Sequence, residues 1–229
     1  LYSFLLTGSR GGFIGLAAVV FAIAKKKVGV IAGAMVLVIV LAGILFVAPS
    51  YMVERLRTAS PYEGTGAGRL DLWYQGWRMF LSNPVIGVGK GNFTEFSEGG
   101  YVAHNSFVHV AAELGLLGLL VWISLFYYSF KALNRTKKLY AVETGGSRAS
   151  VLSDSLTVSM IGLATTAFFL SRQYEYLPYI LIALSVSVYQ IAGKEKGLKL
   201  EFSPIEIRDI LIATFLFFVL WLGLLRVFL

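Results

Sequence analysis

His104 is one of two histidines in the chain, and it stands in the run Ala103-His104-Asn105-Ser106-Phe107. A polar stretch carrying Arg69 precedes it and a long apolar stretch follows. Imidazole is the side chain whose charge changes nearest neutral pH, so it suits proton transfer. Guanidinium presents a rigid fork of donors matched to phosphate oxygens. A titratable group at the lip of a membrane helix, with arginines brought up beside it, is a layout for proton transfer next to a bound phosphate. Three further residues are candidates for support: Asn105 beside the histidine, Glu113 as the one carboxylate inside the following apolar stretch, and Arg172 in a short polar turn with Tyr174 and Glu175. His109 lies five residues on, about 140° off the face of His104 on a helix, and reads as structural. No Asp/Glu cluster and no paired histidines at ligand spacing point to a metal, and with no cysteine there is no thiolate chemistry and no disulfide.

The elements that must hold these groups are set by composition. Of 229 residues, 57% are apolar and 14% charged, and mean hydropathy is +0.73, values of a polytopic membrane protein rather than a soluble domain. A span needs about 20 mainly apolar residues. Six segments qualify, roughly 11–24, 28–48, 106–130, 153–170, 176–192 and 209–228, the first two joined by Lys25-Lys26-Lys27. The expectation is an all-α transmembrane bundle of about six spans. The chain opens on Leu1, without a signal peptide pattern, and reads as the C-terminal part of a longer protein. Gly11, Gly15, Gly29 and Gly33 read as small residues for close helix packing.

Cytoplasmic loops collect lysine and arginine. With six alternating spans, twelve basic residues fall on one side, in 25–27, 131–148 and 193–208, and eight on the other. Nine of the ten lysines are on the first side, while seven of the eight basic residues opposite are arginines, which the positive-inside rule does not call for. The bilayer accounts for the +7 charge without a nucleic-acid partner.

The large outer loop, about 49–105, is too long for a linker. Residues 50–68 read as a mobile lead-in. Arg69 to Leu81 has Leu70, Trp73, Trp77 and Phe80 at helical spacing, which predicts an amphipathic helix at the membrane interface. Ser82-Asn83-Pro84 ends it, and Gly87-Val88-Gly89-Lys90-Gly91 follows as a tight turn. No βαβ unit flanks that glycine string, so it is not a dinucleotide site.

Three motifs in order around this loop carry a resemblance: Thr7-Gly8-Ser9-Arg10-Gly11-Gly12; Arg69 and Trp73 with Asn83-Pro84-Val85-Ile86-Gly87-Val88-Gly89 and Asn92-Phe93; and His104-Asn105-Ser106-Phe107 with Glu113-Leu114-Gly115 and Gly118. Together they resemble the C-terminal half of the O-antigen ligase and O-antigen polymerase superfamily, bacterial membrane glycosyltransferases, well over about residues 1–130 and by hydropathy beyond. The whole chain, 1–229, then belongs to one such membrane domain. The resemblance implies metal-independent transfer of a glycan from a polyprenyl (undecaprenyl) diphosphate carrier to an acceptor hydroxyl, on the outer side of the inner membrane and without a cofactor. The acceptor is the lipid A core of lipopolysaccharide for a ligase, another repeat unit for a polymerase, and a serine or threonine of a protein for a related group. By the same match Arg10 and Arg69 bind the diphosphate and His104 takes the acceptor's proton. Plainer readings stand beside these roles: Arg10 as an interfacial anchor, Arg69 as a partner of Asp71, His104 as a residue that merely precedes a helix. The rival class is a transporter or flippase of lipid-linked glycans, and a scaffold without chemistry is a third.

Overall fold

The structure, a computed structural model, describes residues 10–47, 67–140, 147–196 and 203–228. It is all-helical, with no strand among the described residues: α1 (Arg10–Val47), α2 (Ala67–Ser82), α3 (Phe93–Phe96), a 3-10 turn (Glu98–Gly100), α4 (Ser106–Leu139), α5 (Arg148–Ala167), α6 (Tyr176–Lys196) and α7 (Pro204–Phe228). Local chemistry sets several ends. The Asn105 side chain caps α4 by accepting from the Phe107 and Val108 amides at 2.9 and 3.1 Å, and Ser147 caps α5. Pro204 opens α7, with Glu206 in its first turn and Arg226 in its last, both suited to the helix dipole.

Two of these helices are not straight. In α4, Gly115 has φ 63° and ψ −161°, outside helical geometry. The rings of Phe107 and Phe126 stand 5.9 Å apart, whereas a straight helix would separate those residues by about 28 Å. The helix therefore doubles back at Gly115 into a short arm, 106–114, and a long arm from Leu116 to Leu139. The expected span 106–130 is corrected accordingly: the short arm covers only about 13 Å, and the long arm alone can cross a bilayer. In α1 the break is Gly29, at φ 84°, and the backbones of Gly33 and Lys25 come together beyond it, so one element holds the first two expected segments. Gly29 makes that reversal rather than a packing contact, while Gly11 and Gly15 lie against Phe169 and Thr166 as small residues should.

Among the described residues, four helices are long and apolar enough by length and composition to cross a membrane: Gly11–Gly43, Ser106–Leu139 (through its long arm), Tyr176–Glu195 and Pro204–Arg226. The expected segment 153–170 forms α5, but its serines and threonines keep it out of that set. Large apolar side chains such as Ile31 and Phe215 are 80% and 67% exposed, an arrangement that lipid accommodates and water does not. The chain is thus a multi-pass membrane bundle. Inside it α4 packs on α2, α5, α6 and α7, and α1 packs on α5. The lysine runs meet at one end: Lys26 and Lys137 both pair with Asp154, and Lys131 and Arg135 pair with Glu206. At the other end α2, the short arm of α4 and the loop between them form a cap beyond the ends of α5 and α6. The helix expected over 69–81 is present, but its apolar face is occupied by protein: Trp73 and Phe80 are buried, and Trp77 stacks on Phe80 and meets Trp221 of α7 edge-on.

Candidate active site

His104 precedes α4 rather than sitting on it, so helical angles between it and His109 do not apply. It has φ 50°, the one positive φ outside glycine among the described residues. That conformation is uncommon for a side-chain-bearing residue and persists where its surroundings hold it. Both neighbours are anchored. Ala103 is fully buried and its carbonyl accepts the Trp73 indole N–H at 2.9 Å; Asn105 is fully buried as the cap of α4. Asn105 Nδ2 has no partner among the described residues.

The Trp73 bond also delivers Arg69, which lies one turn earlier on the same face of α2. Arg69 is close enough to act on the imidazole: burial first, then the Arg69 charge, then His109 hold the His104 pKa below its ordinary value. His104 is therefore set to be neutral, the form that accepts a proton.

Arg10 begins α1, and its side chain lies outside the described residues. The adjoining backbone is placed: a Cβ on Gly11 would stand 2.7 Å from Phe169 Cβ, so the start of α1 reaches the 168–172 turn. That turn is tied to α4, since Ser106 Oγ donates to the Leu170 carbonyl at 2.7 Å and accepts the Arg172 amide at 3.0 Å. Arg172 itself is exposed and pairs with Glu175 at 3.0 Å. It stands at the rim of a cleft of about 310 Å³ lined mainly by apolar groups, among them Trp122, Leu163, Ala167, Leu170 and Leu177, with Ser106 in its wall.

Glu113 does not hydrogen-bond to His104. It is fully buried and gathers several donors, among them the Phe93 amide at 2.9 Å, the Tyr174 hydroxyl at 2.6 Å and His109 Nε2 at 3.1 Å, with the Gly91 backbone beside them. His109 Nδ1 in turn meets Ser171 Oγ at 3.1 Å. Burial and the Glu113 carboxylate push the Tyr174 phenol well above its ordinary range, so it remains a donor. Lys90 lies 4.8 Å over the Tyr174 ring. Sequence reasoning named Glu113, His109 and the Tyr174 turn singly; Ser171 it missed, and the pairings, across 62 and 61 residues, carry no local signal.

The O-antigen ligase family matches residues 1–123, over half of the chain, which include Arg69, His104 and Glu113 but not the 168–175 turn. The chain belongs to the O-antigen ligase family. Family membership gives the chain's class as a membrane enzyme of the O-antigen ligase and polymerase type, acting in the bilayer on lipid-linked glycans. No curated protein matches the chain. Among the described residues no group of three or more His, Cys, Asp or Glu could hold a metal ion.

Proposed function

We propose that this O-antigen ligase-type chain transfers a glycan from a polyprenyl diphosphate carrier to a hydroxyl of the lipid A core, without a metal, on the outer side of the bacterial inner membrane. The observation that carries the reading is the approach of Arg69 to His104, whose pKa it helps to lower, two residues before Ser106 in the wall of an apolar cleft. The cleft suits the first isoprene units of the carrier, and Arg69, with Arg10 at the start of α1, suits its diphosphate. His104 removes the proton from the acceptor hydroxyl as that oxygen attacks the anomeric carbon. The bond from that carbon to the phosphate oxygen breaks, and the polyprenyl diphosphate leaves with the electron pair. Arg69 is then worth most, because negative charge grows on the leaving group in the transition state. His104 afterwards releases its proton to water. Asn105 and Glu113 act by holding the backbone around His104 in place, and Arg172 stands at the cleft's rim. The outer location is supported by the lysine clusters at the opposite end of the bundle.

The test is glycan transfer from a synthetic polyprenyl diphosphate donor by the full-length protein in detergent, with lipid A core and free repeat unit offered as rival acceptors. Product on lipid A core, lost in His104→Ala and Arg69→Ala while both variants fold, is the expected result. Product on the repeat unit alone makes the same site a polymerase. Full activity in His104→Ala removes the proposed base, and donor movement across vesicles without transfer turns the reading to a flippase.

A further inference from the structure

A second cleft, of about 440 Å³, opens along α2 and is lined by Gln75, Arg78, Met79, Asn83, Phe96 and Glu98 among others. Its size falls within the roughly 300–1,000 Å³ of pockets that bind small organic ligands. Its walls are fixed. Gln75 Oε1 accepts the Glu98 amide at 2.7 Å while Gln75 Nε2 donates to Asp71 at 2.7 Å. The Val88 and Gly89 amides are pinned to the Ala112 and Glu113 carbonyls at 3.0 and 2.9 Å.

Two side chains here are not explained by packing. Phe96 is 62% exposed, although Phe93 on the same short helix is fully buried. Arg78 is exposed and has no ion-pair partner among the described residues. An aromatic face takes the C–H side of a pyranose ring, and planar side chains such as Arg, Asn, Gln and Glu offer adjacent polar atoms that bridge neighbouring hydroxyls. The opposite charges of Arg78 and Glu98 favour a neutral ligand over a free phosphate.

We propose that this cleft binds the acceptor, an uncharged oligosaccharide segment whose reactive hydroxyl is directed to His104. The backbone from Glu98 to His104 covers at most about 21 Å, within the length of a short oligosaccharide. The donor thus occupies the apolar cleft between α4, α5 and the start of α6, and the acceptor the polar cleft along α2.

The inference rests on the transferase reading, and binding without chemistry separates the two. Saturation-transfer NMR on the full-length protein in lipid nanodiscs uses delipidated lipid A core oligosaccharide and a synthetic tetrasaccharide repeat unit as probes. At least one binds wild type, Phe96→Ala and Arg78→Ala each weaken it tenfold or more, and Phe96→Trp retains it. In steady state the same two variants raise the acceptor KM by that factor and leave the donor KM within twofold. If neither probe binds, if both variants bind as wild type does, or if the donor KM rises instead, the proposal is overturned. If the sugar binds through Phe96 and no transfer occurs with any acceptor, the cleft stands as a glycan site and the transferase reading falls.

Discussion

Gly87 and Gly115 meet backbone to backbone at the reversal of α4. A Cβ added to Gly115 would stand 2.6 Å from the Gly87 amide nitrogen and 2.4 Å from the Val85 carbonyl, and one added to Gly87 would stand 2.3 Å from the Glu113 carbonyl carbon. The close approach lets the 84–89 loop replace the helix's own hydrogen bonds on both sides of the break: Val88 and Gly89 donate to the Ala112 and Glu113 carbonyls, and Leu116 and Leu117 donate to Pro84 and Val85 at 2.8 and 3.2 Å. Broken helices near a membrane survive only when freed backbone groups find such partners.

Gly115→Ala and Gly87→Ala each bring a Cβ into backbone and force a positive φ on alanine, at 63° and 73°. The strain alone costs about 1–3 kcal/mol, and the clash adds to it. Both variants are expected to unfold at clearly lower temperature in detergent and to lose activity. Gly91→Ala, at φ 86° with nothing within 4 Å of its added Cβ, pays only the backbone cost of about 1 kcal/mol. Equal loss in all three would refute backbone contact as the cause.

His104 works as a base only when neutral. Burial, Arg69 and His109 lower its pKa, so protonation switches it off at a pH below the ordinary value of about 6.5. The acid limb of kcat/KM is expected below that pH, with a flat profile across neutrality. Arg69→Gln removes one of the lowering charges, so the limb of its residual activity moves up in pH. The unfolded chain takes this proton first, so stability contributed by the group also declines as pH falls through the same window. A limb at or above about 6.5 in wild type, unmoved in Arg69→Gln, would exclude His104 as the titrating base.

Arg69 and His104 were legible in the sequence because each stands in a short motif on its own side of one loop, and the Trp73 to Ala103 bond that unites them joins the same motifs. The bundle was legible from apolar segment lengths. The reversal at Gly115 was not, because a glycine within an apolar run looks the same whether it packs a helix or breaks one. The destination of α2 was hidden for a related reason: an apolar face with two tryptophans suits a membrane interface and suits α4 and α7 equally. The Ser171, His109, Glu113 and Tyr174 chain depends on the fold returning the 168–175 turn to α4.

Glu113 accepts at both oxygens, Oε1 from the Phe93 amide and His109, Oε2 from Tyr174. An amide accepts at one position only, so Glu113→Gln orphans a buried donor at a cost of about 1–3 kcal/mol. Glu113→Ala orphans every one of its donors and costs more. Tyr174→Phe deletes a donor and costs about 1 kcal/mol. Denaturant unfolding in detergent should rank the variants in that order, Tyr174→Phe mildest. A neutral Glu113→Ala would mean that this carboxylate does not hold the cap together.

The chain has no cysteine of its own, so single cysteines placed in it report orientation once any cysteine elsewhere in the full-length protein is replaced. Lys90 is exposed beside Tyr174 in the cap, and Lys138 is exposed at the other end in a cleft with Lys131 and Arg135. The positive-inside rule puts the Lys138 end in the cytoplasm. Lys90→Cys in the full-length protein should react with a membrane-impermeant maleimide added to intact spheroplasts, and Lys138→Cys only after the membrane is opened. The reverse pattern would place His104 and Arg69 on the cytoplasmic face, where a ligase acting on the outer side cannot use them.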